Sequence, residues 1–192
     1  MTAYNAGQRL FGENKVQELL NKRELLPGDI EWHLIGHLQT NKVKYVVPFI
    51  SMIHSVDSYK LLSAINKDAA KAGRIIDCLL QIHIADETTK FGFLPGEVSE
   101  MMETNSLLHL KNIRICGVMG MATFTDDREK VRKEFSRLHS YFSDIKSKYF
   151  TDVPSFREIS MGMSDDYDLA VEQGSTIVRI GSRIFGKRNK NI

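Results

Sequence analysis

The sequence predicts an α/β fold, a (β/α)8 TIM-type barrel of which this chain supplies seven strands. Three observations predict it. Short apolar segments alternate with longer amphipathic ones along the whole 192 residues, the pattern of βαβ units and a parallel sheet. The short segments number seven. The opening MTAYNAG reads as the end of a helix, with Gly7 just past its last turn. So short a helix is not stable alone and needs a sheet to pack on. The chain is therefore expected to open partway through a βαβ unit, and the strand due before it makes eight. A seven-stranded open sheet is the alternative.

The strand segments are Arg9–Glu13, Glu31–Ile35, Met52–Ser55, Cys78–Ile84, Ile113–Met119, Arg157–Met161 and Thr176–Ile180. Helices are expected over Lys15–Leu26, Thr40–Val47, Ser58–Ala72, Pro95–Thr104, Asp126–Lys148 and Asp165–Gln173. Pro27-Gly28, Pro48, Gly73 and Gly174 stop helices, and Ser58, Asp126 and Ser164 can cap them.

Composition narrows the function. A net charge of +2 is too weak to argue for nucleic acid or an anionic membrane as partner. No apolar run reaches the length of a membrane span, and the N-terminus lacks a signal-peptide core. Cys78 and Cys116 lie inside apolar runs and read as reduced thiols of a cytoplasmic protein. No Cys/His cluster has the spacing of metal ligands.

The informative residues stand near the end. ISMGMSDD (159–166) and VRIGSRIFG (178–186) each run from a strand into Gly and Ser. In a (β/α)8 barrel a phosphate site is often built after strands seven and eight. Ser160, Gly162, Ser164, Gly181 and Ser182 then stand where backbone N–H groups and hydroxyls can hold an anion. Arg179 lies in the last strand and can point into the barrel mouth. Turn chemistry alone also accounts for these residues: Ser164 as a helix cap, Gly181 as a turn. Other strand ends offer Asn14, His33, His37, Asp57 and, on the loop after the fourth strand, Lys90. His33 alternates with Trp32, so only one of the two faces the interior. Lys42, Lys44 and Lys60 read as a solvated helix face. Met101, Met102, Met119, Met121, Met161 and Met163 read as core filler.

FGENKVQEL, EWHLIGHLQTNKVKYV, IHSVDS, LLQIHIADETTKFGF, GVMGM and SMGMSDDYDLAVEQGSTIVRIGSRIFG together resemble the pyridoxal 5′-phosphate (PLP) homeostasis proteins, whose barrel is of the alanine racemase N-terminal-domain type. The match covers essentially the whole chain in motif order. It implies one PLP-binding barrel domain over residues 1–192, truncated at its N-terminus, and an intracellular, non-enzymatic role in buffering or delivering PLP. It implies phosphate-holding positions at Ser164, Gly181 and Ser182, Arg179 facing the pyridine nitrogen, and Asn14 near the cofactor. An Arg at that place keeps the nitrogen unprotonated and weakens the ring as an electron sink.

One departure stands out. The family's Schiff-base lysine sits on the first barrel strand, the piece expected to be missing, so a covalent link is doubtful; Lys90 is a weak substitute. Two further classes stay open. A PLP-dependent racemase or decarboxylase-like enzyme carries an additional β-domain, for which the chain leaves no room. A truncated remnant that binds nothing is favoured by the missing strand and opposed by the phosphate signature. Without that strand, the strands holding Phe11 and Val178 are expected to present open edges that lower stability and invite self-association.

Overall fold

The computed structural model of the chain describes residues 1–85, 91–104 and 106–186. Seven parallel strands form one sheet in chain order: β1 (Leu10–Glu13), β2 (Glu31–Leu34), β3 (Met52–Val56), β4 (Ile76–Gln81), β5 (Ile113–Met119), β6 (Glu158–Met163) and β7 (Ile177–Arg179). The helices are α1 (Thr2–Asn5), α2 (Val16–Leu25), α3 (Val43–Val46), α4 (Tyr59–Lys71), α5 (Pro95–Glu103), α6 (Arg128–Tyr149), α7 (Tyr167–Glu172) and α8 (Ser182–Phe185).

The sheet is curled into a barrel. Neighbouring strands lie about 4.8 Å apart, so β3 and β6 would be about 14 Å apart in a flat sheet. Yet His54 of β3 and Ser160 of β6 touch, ring nitrogen to hydroxyl, at 2.9 Å. Among the described residues β1 pairs only with β2 and β7 only with β6, so the barrel is open between them.

Curling separates two apolar regions. The large one lies between sheet and helices and holds Leu19, Trp32, Ile53, Leu62, Val118, Phe135 and Ile159. The small one lines the interior: Met52, Leu79, Cys116 and Met119, with Met121 and Ile177 against them. Two helices show why the sequence folds this way locally. Ser58 caps α4, its hydroxyl accepting the Leu61 N–H at 3.3 Å, and Leu61, Leu62, Ile65 and Ala69 follow on one buried face. In α6 the buried stripe of Val131, Phe135, Leu138, Phe142 and Ile145 includes a carboxylate, Glu134. Glu134 is tolerated because it accepts the Thr123 N–H at 2.6 Å and the Thr123 hydroxyl at 2.7 Å.

Several boundaries differ from those the sequence predicts. Strand β4 starts at Ile76 and ends at Gln81; Ile82 makes only an isolated bridge to Phe93, so the apolar run through Ile84 overstates the strand. Asp127, not Asp126, caps α6 by accepting the Lys130 N–H. The helix expected over Thr40–Val47 divides into a 3-10 turn, Thr40–Lys42, and α3. Met163 is 38% exposed at the end of β6 and fills no core. Gly7, Gly73 and Gly174 follow helix ends at positive φ, as read from sequence.

The β5–β6 contact depends on Gly117. Its φ is +152°, and a Cβ there would collide with the Glu158 carbonyl of β6. Gly117→Ala is therefore expected to cost about 2–4 kcal/mol, measured as a lowered urea midpoint. An unchanged midpoint would mean that β5 and β6 can separate freely at this point.

Candidate functional site at the barrel mouth

A chain of polar groups crosses the barrel interior from β2 to β7. His33 Nδ1 lies 2.9 Å from His54 Nε2. His54 Nδ1 lies 2.9 Å from the Ser160 hydroxyl, which accepts a hydrogen bond from Arg179 at 2.7 Å. Arg179 also donates to the Gly120 carbonyl at 3.0 Å. Strand alternation places these side chains inward, while Trp32 turns outward against Phe11. His33, His54 and Ser160 are buried. The sequence leaves open which of Trp32 and His33 faces inward; the structure selects His33.

Burial sets the charges in this chain. It lowers His33 to about 4, against the opposing pull of Asp77 and Glu158. It pushes His54 well below the ordinary imidazole value, helped by His33 and Arg179. Both rings are neutral at pH 7. Packing lowers Arg179 to about 10, with Asp166 opposing, so the guanidinium keeps its charge.

Past the end of β7, the Gly181 N–H donates to the Ser164 hydroxyl at 3.1 Å. The two quoted sequence stretches thus meet at one rim. Ser164 is not a helix cap; Asp166 precedes α7 and its carboxylate accepts the Met163 N–H at 2.6 Å. Gly181 opens α8, and Ser182 is its first residue. The first N–H groups of a helix have no carbonyl behind them. A Cβ built on Gly181 meets nothing within 4 Å. Gly162 has a different reason to be glycine: at φ +92° its missing side chain lets Ala170 and Tyr167 of α7 press against β6.

Asn14 is exposed at the end of β1 and outside the hydrogen-bonded chain. Its backbone fills the space a side chain at Gly36 would need. Beside it, His37 Nδ1 meets Asp57 at 3.2 Å and stacks on Phe91 with ring centroids 4.4 Å apart. Lys90 lies outside the described residues. Among the described residues no group of three or more His, Cys, Asp or Glu could hold a metal ion, and no helix is long and apolar enough to cross a membrane.

A profile of the family described as alanine racemase, N-terminal domain, matches residues 1–189. The pyridoxal phosphate homeostasis protein of Aquifex aeolicus is 40% identical over 186 residues, 96% of this chain and 79% of its own length. The chain belongs to the pyridoxal phosphate homeostasis protein family. The solved structure of PipY from Synechococcus elongatus, which has PLP bound, is 34% identical, with a TM-score of 0.84 over 96% of this chain and 85% of that one. Alanine racemase of Bartonella henselae, at 15% identity and a TM-score of 0.66 over 97% of this chain and 50% of its own, shares the fold.

Sequence reasoning nominated His33, Ser160 and Arg179 separately and missed His54, which joins them. The signal was present: in MIHS, His54 stands two residues after Met52 and so shares its inward face.

Neutral buried imidazoles make stability depend on pH. Their folded values lie below the unfolded value of about 6.5, so the folded state binds fewer protons between the two. The contribution is complete above pH 6.5 and is lost as pH falls through about 4. For His33 it amounts to roughly 3 kcal/mol. The urea midpoint is expected to drop over this window, and less steeply in His33→Gln. Parallel pH profiles for the two proteins would show that His33 is not held neutral.

Proposed function

We propose that this chain binds pyridoxal 5′-phosphate and serves intracellular PLP homeostasis as a binding protein. One observation carries the reading. The Ser164 hydroxyl, which accepts the Gly181 N–H, and the start of α8 lie on the same rim as the inward-facing Arg179, and the space beside the Gly181 Cα is open. A phosphate fits such a cradle: hydroxyl and backbone donors with a bare glycine for close approach. Family membership and the PLP-bound PipY structure support it.

When bound, PLP supplies a reactive aldehyde and a ring able to withdraw electrons. The residues here restrain that chemistry. Ser164, Gly181 and Ser182 would hold the phosphate. Arg179, protonated at neutral pH, spends two donors on Ser160 and Gly120; its remaining N–H groups can donate to the ring nitrogen, which then carries no proton of its own. That polarity suits a carrier better than a racemase or decarboxylase. The sequences of the seven described strands also contain no lysine, which supports non-covalent binding by these residues. A cytoplasmic setting belongs to the same reading and is supported by the buried free thiols of Cys78 and Cys116.

Titration with PLP, followed by its absorbance and fluorescence, tests the reading. Saturable one-to-one binding is expected. Gly181→Ala should leave the urea midpoint unchanged, since the added methyl meets no protein atom, and should weaken PLP binding at least tenfold by occupying the cradle. Equal affinity in the two proteins would move the phosphate elsewhere.

Borohydride reduction of the PLP-loaded protein, followed by intact mass, tests the non-covalent arrangement. No stoichiometric adduct is expected. One lysine labelled to completion would overturn it, and peptide mapping would identify that residue.

A further inference from the structure

We propose that His54 is a positioning residue of the PLP site: with Ser160 as bridge and His33 behind it, it forms a one-way hydrogen-bond relay that aims the Arg179 guanidinium into the barrel mouth. The proposal rests on the PLP-binding reading above and extends it to residues that do not touch the cofactor.

The direction of the relay follows from counting protons. Arg179 can only donate, so the Ser160 oxygen accepts from it. A hydroxyl has one proton. Ser160 is fully buried, and among the described residues the other group within reach of its oxygen is His54 Nδ1 at 2.9 Å. If His54 donated to Ser160, the serine proton would be left buried without an acceptor, which costs about 1–3 kcal/mol. Ser160 therefore donates to His54 Nδ1, and that ring carries its proton on Nε2. Nε2–H then donates to His33 Nδ1 at 2.9 Å, so His33 also carries its proton on Nε2. In this direction the Ser160 hydroxyl and the His54 ring each use one donor and one acceptor, and His33 accepts through Nδ1. The Arg179 charge favours it, because each dipole points its negative end toward the guanidinium. The low affinity of both rings for a second proton agrees with it. With Ser160 and Gly120 each accepting from one end of the planar guanidinium, its plane is fixed and its remaining donors have a set direction.

Two measurements test the relay. The first needs no cofactor: long-range 1H–15N correlation spectra of the free protein report the tautomers. His54 and His33 are expected neutral and protonated on Nε2; a proton on His54 Nδ1 overturns the proposal. The second is a double-mutant cycle on PLP affinity. His54→Leu should weaken binding roughly tenfold, the size of one misdirected charge-assisted hydrogen bond. His54→Asn, whose amide oxygen takes the place of Nδ1 as acceptor, should restore most of it if the leucine variant folds poorly. In an Arg179→Met background, His54→Leu should have no further effect. An equal loss in both backgrounds, or none in either, shows that His54 does not act through Arg179. If the parent protein binds no PLP, the function proposed above fails, and the relay stands or falls on the tautomers alone.

Discussion

Parallel pairing is the constraint from which the rest of the structure follows. Seven strands that all run one way force each connection back across the sheet, and helices supply that return. The result is a barrel whose strands end on one rim. The polar groups of the candidate site line the interior from mid-strand to the rim: His54 and Ser160 within β3 and β6, His33 and Arg179 at or near the C-terminal ends of β2 and β7, and Ser164 and Gly181 just beyond the strands. Stretches separated by more than 100 residues meet this way, as His54 and Ser160 do.

Curling the sheet also creates an interior that apolar side chains do not fill alone. Met52, Leu79, Cys116 and Met119 occupy part of it, and polar groups occupy the rest. Buried polar groups are stable only when satisfied. Here they satisfy one another in a single file that ends on a permanent cation. The family to which the chain belongs shares its barrel with alanine racemase, but a fold does not determine chemistry. The polarity of groups inside the barrel does more to decide what a bound cofactor can do.

Neutral histidines next to a charged arginine form a consistent set. Each imidazole loses its second proton to burial, and the nearby guanidinium adds to that loss for His54. Asp77 and Glu158 oppose it at the His33 end, and burial prevails. Among the described residues this chain of groups thus ends on one positive charge, Arg179, close to the mouth, where a ligand with acceptor atoms would meet it.

The sequence by itself determined the architecture and half of the site. Alternation of short apolar and long amphipathic segments is a local property, legible without coordinates, and so were the stops at Gly7, Gly73 and Gly174. The two Gly/Ser stretches were legible as strand ends because turns and close approaches need those residue types. Tertiary structure decided what depends on contacts distant in sequence. Strand β4 ends at Gln81 because its pairing with β5 ends there, although the apolar run continues. Asp127 caps α6 in place of Asp126 because backbone geometry, not residue type, selects the cap. Ser164 holds the Gly181 N–H instead of capping α7. His54 looks like any strand residue until curling brings β3 and β6 face to face across the interior. A residue's type limits what it can bond, and only the curled sheet determines which group stands opposite it.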